Sequence, residues 1–273
     1  MHEEFQNLAQ IIKKNAQGKK IIYIPNPGNY GDGLIRYATK KFFSDYQISH
    51  WEVNVGYGKI KYQLLPYLLN HNKYLFIYGG GGGWCSAYDC GYRICRAISM
   101  FTSNLIVLPS TFDLELKAVK GTLFRRDKFN SAERAADSIF CHDMAFYLTT
   151  IKSMMMFQNI EKTQNVGLFM RTDKEAAIIQ ESMPEMNKDL SLFGDHMSNG
   201  DEFLETVAHF KELHTDRLHI CIAGLIVGAK VNLYPGSYFK IQAIYNSSIA
   251  PNFKNIEMHA VCEDINLLSQ NLN

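Results

Sequence analysis

The chain has 273 residues, of which 47% are hydrophobic and 20% are charged. This is the composition of a soluble globular protein, and it excludes disordered, collagen-like and coiled-coil chains. Lys and Arg number 28 and Asp and Glu 27, which gives a net charge of +1. We therefore expect no nucleic-acid partner, because dedicated nucleic-acid-binding proteins carry an excess of basic residues on one face.

The N-terminal residues lack the apolar stretch of a signal peptide. The longest apolar run, Ile220 to Ala229, is about half as long as a membrane span. We therefore expect a cytoplasmic protein with reduced thiols. Cys85, Cys90 and Cys95 lack the CxxC pairs or His partner of a zinc site, so we predict no metal and interpret them as buried small apolar residues.

In the first half, short β-branched runs alternate with longer amphipathic stretches. The pattern predicts strands at Ile21–Ile24, Tyr74–Tyr78, Leu105–Leu108, Leu123–Phe124 and Ser138–Cys141. It predicts helices at Leu34–Phe43, Tyr92–Phe101, Phe112–Val119 and Ser131–Ala136.

The second half repeats the alternation. It predicts strands at Val166–Met170, Leu190–Phe193 and Val231–Leu233. It predicts helices at Glu175–Glu181, Asp201–Lys211, Arg217–Val227, Tyr238–Tyr245 and Val261–Leu272.

Strands that alternate with helices indicate parallel sheets covered on both faces, so we predict an α/β fold. The segment Thr149–Asn165 interrupts the alternation. We therefore predict two doubly wound, Rossmann-like domains with a cleft between them: an N-terminal domain at 1–150, a linker at 151–164 and a C-terminal domain at 165–273. Because ligands bind at the carboxyl ends of parallel strands, the loops after the strands are the candidate sites.

The loop Pro25–Asp32 (PNPGNYGD) follows the first strand and precedes the first predicted helix. Its prolines and glycines predict a tight, exposed turn that presents Asn29 and Asp32 at its tip. One interpretation is that both contact a substrate, with Asp32 as a candidate base for a sugar hydroxyl. The alternative is that Asp32 only caps the helix.

Five glycines, Gly79–Gly83, follow another predicted strand and would let a ligand approach the main chain. The run is not a GxGxxG motif, because Trp84 or Cys85 takes the last position, and no Gly-Lys-Ser/Thr follows as in a P-loop. We favour a loop that faces a ligand, with a purely structural run and a dinucleotide site as the alternatives.

Arg171 and Asp173 follow the predicted strand Val166–Met170. The planar fork of an arginine at a strand's carboxyl end suits a carboxylate or a phosphate. The alternative is a simple surface ion pair between these two residues.

Arg217 and His219 lie where the apolar helix Arg217–Val227 begins, with Thr215 or Asp216 as its predicted N-cap. A helix N-terminus favours an anion, and two such side chains ahead of a buried helix are costly unless a ligand satisfies them. The alternative is a core histidine beside an arginine held in a salt bridge. Lys240 follows the last predicted strand and adds a third positive charge to the cleft, or else is a lone surface lysine.

Together and in this order, Gly28-Asn29-Tyr30-Gly31-Asp32, Gly79–Gly83, Arg171-x-Asp173 and Thr215-Asp216-Arg217-Leu218-His219 resemble the polysaccharide pyruvyl transferase family. Further landmarks are Leu108-Pro109-Ser110-Thr111-Phe112, Arg125-Arg126-Asp127 and Tyr238-Phe239-Lys240. The resemblance extends from about Ile21 to Lys240.

The resemblance implies two Rossmann-like domains in a GT-B-like arrangement. It implies transfer of pyruvate from phosphoenolpyruvate to sugar hydroxyls, often as a cyclic ketal, during assembly of exopolysaccharide, capsule or cell-wall polysaccharide. Phosphoenolpyruvate is then the donor substrate, and no cofactor is expected. A lipid-linked acceptor would bring the enzyme to the inner face of the membrane.

By position, the resemblance implies that His219 is the catalytic histidine and that Arg217 and Arg171 bind phosphoenolpyruvate. Lys240 supports these two arginines, and Asp32 orients or deprotonates the acceptor. The acceptor-facing residues would be Asn29 and, in the glycine run, Gly80, Gly81 and Gly82.

Two other functions remain open from the sequence. A GT-B glycosyltransferase that uses a nucleotide sugar would need a carboxylate for the nucleotide ribose, and only Glu257 and Glu263 are available late in the chain. A non-enzymatic sugar- or phosphate-binding protein would keep the arginines but would not need His219.

Overall fold

The computed structural model describes residues 1–56, 60–173, 176 and 185–260. Within these ranges the strands form two parallel sheets, one of six strands and one of four. Helices connect the strands of both sheets. The predicted α/β class with two Rossmann-like halves is therefore confirmed.

The first sheet has the strand order β2-β1-β3-β4-β5-β6. Its strands are β1 (Lys20–Ile24), β2 (His50–Glu52), β3 (Tyr74–Tyr78), β4 (Leu105–Ser110), β5 (Thr122–Arg125) and β6 (Ile139–Phe140). The chain runs from β1 to one side and returns to β3 on the other side, so the strand order reverses between β1 and β3. This is a topological switch point, and the loop Pro25–Asp32 and the glycine run leave the two strands that flank it.

The two faces of the first sheet have different covers. Ile21 and Tyr23 of β1 pack towards α1 and α2, whereas Ile22 and Ile24 pack towards α3 and α4. This alternation follows from the two-residue repeat of a strand. The helices of this half are α1 (His2–Asn15), α2 (Tyr30–Asp45), α3 (Ile60–Leu68), α4 (Cys90–Ser99) and the short α5 (Asn130–Arg134).

The second sheet has its strands in sequential order, β7-β8-β9-β10. They are β7 (Gln164–Phe169), β8 (Phe210–Thr215), β9 (Lys230–Leu233) and β10 (Ile256–Met258). The helices of this half are α6 (Gly200–Ala208), α7 (Leu218–Ile226) and α8 (Lys240–Ile244), which continues into a π-helical turn at Tyr245–Ile249.

The two halves share one hydrophobic core. Helix α2 packs against α6 and α7, and α7 also packs against the 3-10 helix Met144–Thr150. Phe42 of α2, Phe203 of α6 and Ile222 of α7 are each fully buried in this core. The layer between the two sheets is therefore helical and continuous.

Several predicted elements differ from the structure. Leu190–Phe193 is a 3-10 helix and not a strand, because Asp189 caps it by accepting from Ser191 N. The predicted helix Phe112–Val119 is irregular, and the helix Asp201–Lys211 ends at Ala208, after which β8 begins. The predictions for Val261–Leu272 and for nearly all of Glu175–Glu181 lie outside the described residues.

The chain between the sheets contains two 3-10 helices, Met144–Thr150 and Lys152–Asn159, and the second sheet starts at Gln164. The second of these helices lies within the predicted linker 151–164. The domain boundaries themselves stay a prediction.

Candidate functional site

A cavity of about 380 Å³ lies between the two halves, at the carboxyl ends of the strands. The first half contributes the loop after β1, the end of the glycine run, the start of α4, and Arg126. The second half contributes residues that follow β7 and β8, and Lys240. The predicted site residues in the lining are Asn29, Asp32, Gly82, Arg171, Arg217, His219 and Lys240.

The loop after β1 is held by its own polar side chains. Asn29 caps α2, its Oδ1 accepting from Gly31 N at 2.9 Å, while Asp32 Oδ2 accepts from Asn29 N at 3.1 Å. Asn26 Nδ2 donates to Asp32 Oδ1 at 2.6 Å. This reciprocal capping box fixes Asp32 where it also lines the cavity, so its capping role and its predicted role toward an acceptor are compatible.

The glycine run divides into two parts. Gly80 and Gly81 have φ of +80° and +98°, and a Cβ on Gly80 would lie 2.7 Å from the carbonyl oxygen of Pro109. These two glycines let the chain pass against the end of β4, and the described cavity lining does not include them. Gly82 and Gly83 do line it.

Two arginines and two carboxylates form one network on the second-half side. Arg171 donates from Nε and Nη2 to the two oxygens of Asp173, at 2.8 and 3.0 Å. Arg217 lies 2.9 Å from Asp173 through Nη1 and donates to Asp189 through Nε at 3.1 Å and Nη2 at 2.5 Å. Both arginines are buried, so these ion pairs hold the guanidinium groups in a fixed orientation.

The surroundings shift the pKa values of Asp189 and Asp216 in opposite directions. Burial alone would raise the pKa of Asp189, but hydrogen bonds and the charge of Arg217 lower it overall. The buried Asp216 accepts from Arg171 N at 2.8 Å, and its burial raises its pKa to about 6. The arginine forks therefore have fixed positions before any ligand arrives.

His219 occupies the second position of α7, whose N-cap residue is Arg217 rather than the predicted Thr215 or Asp216. Thr215 Oγ1 instead accepts from Arg217 N at 2.9 Å and so satisfies the start of the helix. A Cβ on Gly31 would lie 2.4 Å from His219 Nδ1. The imidazole is thus seated directly on the N-terminus of α2 from the other half.

On its other side, His219 faces a buried ion pair. Nε2 lies 3.6 Å from Asp143 Oδ2, and Arg126 Nη1 donates to the same oxygen at 2.6 Å. Arg126 Nε also donates to Thr111 Oγ1 at 2.7 Å. Although burial alone would raise it, the neighbouring His219 and the Arg126 charge hold the pKa of Asp143 well below its usual range.

Among the described helices, three have N-termini that line the cavity. These are Asn29 at the start of α2, Cys90 at the start of α4 and Arg217 at the start of α7. Because unsatisfied N–H groups and the helix dipole make such ends positive, the cavity suits an anion. Lys240 adds a charge at the rim, where its Nζ lies 4.9 Å from the ring centre of Tyr238.

The predictions missed four polar residues of the site. The sequence indicates Arg126 only as part of a motif and predicts no role for Asn26, Asp143 or Asp189. Asn26, Arg126 and Asp143 follow the ends of β1, β5 and β6, so the rule that ligands bind after parallel strands could have found them. Asp189 follows no strand, and no sequence signal indicates it.

The structure also gives the positions of the three cysteines and of Glu257, a candidate carboxylate for a nucleotide ribose. Cys85 and Cys95 are buried, whereas Cys90 is half-buried and lines the cavity. Among the described residues, no three His, Cys, Asp or Glu side chains lie close enough together to hold a metal ion. Glu257 is exposed on β10, and Glu263 lies outside the described residues.

The family comparison decides the class of this protein. A sequence model of polysaccharide pyruvyl transferases matches residues 29–233. The chain belongs to the polysaccharide pyruvyl transferase family. The match contains Arg171, Arg217 and His219, and Lys240 lies beyond it. Membership assigns the chain to transferases that act on polysaccharide.

The other comparisons concern the fold and the curated relatives. A solved structure of a functionally uncharacterized protein from Klebsiella pneumoniae is similar with a TM-score of 0.74 and 22% identity. The match covers 94% of this pyruvyl transferase family member and 98% of that chain. No curated protein matches the sequence. No helix in the described ranges combines the length and hydrophobicity of a membrane span.

Proposed function

We propose that this protein transfers pyruvate from phosphoenolpyruvate to a sugar of a growing polysaccharide and closes a cyclic ketal on two hydroxyl groups. One observation carries the proposal. Arg171, Arg217 and His219 of the second half line the same cavity as the α2 N-terminus of the first half, which bears Asn29 and Asp32.

The donor is a small anion with a carboxylate and a phosphate. Arg171 and Arg217 line the cavity as guanidinium cations that suit both groups, and the three helix N-termini add partial positive charge. Asp173 and Asp189 hold these forks in place before the donor binds. The donor therefore meets a pre-oriented site, and little binding free energy is lost to ordering side chains.

The reaction begins with protonation of the donor's methylene carbon by His219. The adjacent carbon becomes electrophilic, and the oxygen of an acceptor hydroxyl bonds to it while the hydroxyl proton passes to a base. Inorganic phosphate then leaves with the electron pair of its C–O bond. A second hydroxyl bonds to the same carbon, gives up its proton to the departing phosphate and closes the ketal. The acid step is worth roughly 10²–10⁴-fold in rate.

Asp32 faces the acceptor side of this reaction. Its carboxylate is fixed by Asn26 and by the backbone of Asn29, and it lines the cavity opposite the arginines. We assign it to orienting or deprotonating an acceptor hydroxyl, with Asn29 and Gly82 beside it. The backbone of Gly80 and Gly81 packs against the end of β4, directly before Gly82.

A thermal-shift screen with phosphoenolpyruvate, UDP-sugars and NAD tests the choice of donor. Ligand at one hundred times its Kd stabilises a folded protein by about 2.7 kcal/mol. We expect phosphoenolpyruvate alone to raise the Tm, and we expect the increase to shrink in Arg171→Lys. Stabilisation by UDP-sugars and not by phosphoenolpyruvate would contradict the proposal and favour a nucleotide-sugar glycosyltransferase.

A further inference from the structure

Asp143 is a buried carboxylate directly behind the cavity. It follows β6 in the first half, its side chain is fully buried, and its Oδ1 accepts from Ala145 N at 2.9 Å. Its other oxygen accepts from Arg126 at 2.6 Å and lies 3.6 Å from His219 Nε2. Burial of an ionised carboxylate costs free energy, and the groups that bond to it or face it must offset that cost.

The two ring nitrogens of His219 have different surroundings. Nε2 is buried and makes no hydrogen bond within the described part of the chain, and Asp143 is the carboxylate beside it. Nδ1 lies towards Gly31, which itself lines the cavity. A buried ring nitrogen that faces a carboxylate can donate a hydrogen bond to it. The distance between Nε2 and the carboxylate oxygen should shorten when the ring is protonated or the site closes.

We propose that Asp143 is a positioning residue for His219. Its carboxylate holds the Nε2–H of the imidazole, directs Nδ1 to the cavity as the nitrogen that delivers the proton, and stabilises the imidazolium. Arg126 keeps the carboxylate ionised and in place. The part of the proposal that concerns catalysis rests on the proposed function.

Asp143 is the carboxylate that lies beside the buried nitrogen of His219. The other charged groups of the cavity are Asp32, Arg126, Arg171, Asp173, Arg217 and Lys240. Arg171 and Arg217 are bonded to Asp173 and Asp189, and Asp32 is bonded to Asn26 and Asn29. In the part of the chain that the structure describes, Asp143 is the carboxylate that comes within 4 Å of Nε2, and its side chain is fully buried there.

The tautomer of His219 in the wild-type protein tests the geometry without any substitution in the pair. A long-range ¹H–¹⁵N spectrum at high pH distinguishes Nε2–H from Nδ1–H, and the His219→Asn variant identifies the signal that belongs to His219. We expect the Nε2–H form. A neutral His219 protonated on Nδ1 would overturn the proposal.

The Asp143→Asn variant tests the electrostatic part. The amide can still accept from Nε2–H but carries no charge, so the His219 titration should move about one pH unit lower. In turnover, the alkaline limb of the kcat profile should move by the same amount, with little change in the KM for phosphoenolpyruvate. Above that limb kcat should fall about tenfold.

Asp127→Asn is the matched control. Asp127 is also a fully buried carboxylate of the first half, but it accepts from Phe129 N and Ser131 N and does not line the cavity. It should reduce stability and leave the His219 titration unchanged. Equal titrations of His219 in wild type and in folded Asp143→Asn would overturn the proposal.

The titration and the turnover separate two failures. A lowered His219 titration in Asp143→Asn, with no turnover of phosphoenolpyruvate by the wild type, supports the positioning role and contradicts the proposed function. Turnover of phosphoenolpyruvate by the wild type, with an unchanged His219 titration in Asp143→Asn, supports the proposed function and contradicts the positioning role.

Discussion

At the scale of single residues, the contact between Gly31 and His219 joins the two halves of the site. Gly31 belongs to the first turn of α2, and His219 to the first turn of α7. The imidazole occupies the space that a side chain at position 31 would take. Glycine at position 31 is therefore required by the position of His219 and not by its own backbone conformation.

We predict that Gly31→Ala lowers kcat severely without unfolding the protein. The new Cβ would lie 2.4 Å from Nδ1 and must displace the imidazole, whereas Gly→Ala inside a helix otherwise stabilises by roughly 0.5–1 kcal/mol. Steady-state kinetics and thermal melts check this. Gly236→Ala is the control, since its Cβ would make an ordinary 3.7 Å contact with Ile241. A wild-type kcat in Gly31→Ala would contradict the prediction that His219 must keep its contact with Gly31.

We predict that Arg217→Lys mainly raises the KM for phosphoenolpyruvate. Lysine keeps the charge but has no guanidinium group that could bond to Asp189 and to a ligand at the same time. A lost hydrogen bond to a charged group costs about 1.5–3 kcal/mol, which corresponds to a rise of roughly tenfold to a hundredfold. Arg36→Lys is the matched control, because Arg36 bonds to Glu52 through Nε and Nη2 away from the cavity. An unchanged KM in folded Arg217→Lys would argue against donor binding there.

The sequence predicted seven of the cavity-lining residues because each carries a local signal, such as a strand end or a helix start. It could not predict what those side chains bond to. Asp189 lies 28 residues before Arg217 and Asp143 lies 76 residues before His219, so only the fold brings each pair together. Partner identity is a tertiary property, and a single sequence does not contain its distances.

At the scale of elements, α1 is attached to the sheet partly through a buried histidine. His142 Nδ1 lies 2.7 Å from Ser248 Oγ, and its Nε2 lies 3.6 Å from Glu4 of α1. Burial lowers the pKa of His142 to about 4, although Glu4 opposes the shift. The folded protein therefore holds this imidazole neutral where an unfolded chain would protonate it.

We predict that His142 makes the protein less stable in acid. Its folded pKa lies below its unfolded value of about 6.5, so the folded state binds fewer protons. The free energy of unfolding should fall as the pH drops from about 6.5 to about 4, by up to about 3 kcal/mol, and this contribution should level off below pH 4. Urea unfolding of wild type and His142→Gln at several pH values measures it.

The control for His142 is His209→Gln, a change at a more exposed histidine that should keep the wild-type pH dependence. Parallel pH profiles for wild type and His142→Gln would contradict the prediction.

Element prediction failed where polar side chains sit on strands. The sequence pattern does not predict strand β8, because Glu212 and His214 interrupt its apolar residues. In the structure Glu212 accepts from Asn232 of β9, and His214 Nδ1 lies 2.9 Å from Oη of Tyr234, which directly follows β9. The face is therefore polar, although His214 is buried and Glu212 is half-buried. A two-residue hydrophobic repeat predicts a half-buried strand and misses one whose second face is hydrogen-bonded.

At the scale of the whole molecule, the halves are bound to each other as well as to their own sheets. The shared core runs through α2, α6 and α7. Near the cavity, His196 N donates to Gly28 O at 3.1 Å and Tyr30 Oη donates to Asn199 O at 3.1 Å. These contacts fix the distance between Asp32 and the arginines.

We predict that the two halves unfold in one cooperative transition. Both tryptophans, Trp51 and Trp84, lie in the first half, so their fluorescence reports on that half alone. Ile222→Ala in α7 should destabilise by roughly 2–5 kcal/mol and move the fluorescence and circular dichroism midpoints together. A fluorescence midpoint that stays at the wild-type value while the circular dichroism midpoint falls would mean independent halves.

The near-zero net charge takes on a definite meaning in the folded molecule. Arg126, Arg171 and Arg217 converge on the cavity, and each is bonded to a carboxylate that the same fold supplies. Charge balance over the whole chain is therefore compatible with a cavity that presents guanidinium groups and helix N-termini to a small anion.

The most direct test of pyruvyl transfer is mass spectrometry of a candidate oligosaccharide incubated with phosphoenolpyruvate and either wild type or His219→Ala. With wild type, the oligosaccharide should gain the mass of phosphoenolpyruvate less phosphoric acid, with equal release of inorganic phosphate. With His219→Ala, this product should be absent although calorimetry still shows donor binding. The same mass gain at a near-normal rate in His219→Ala would contradict the account.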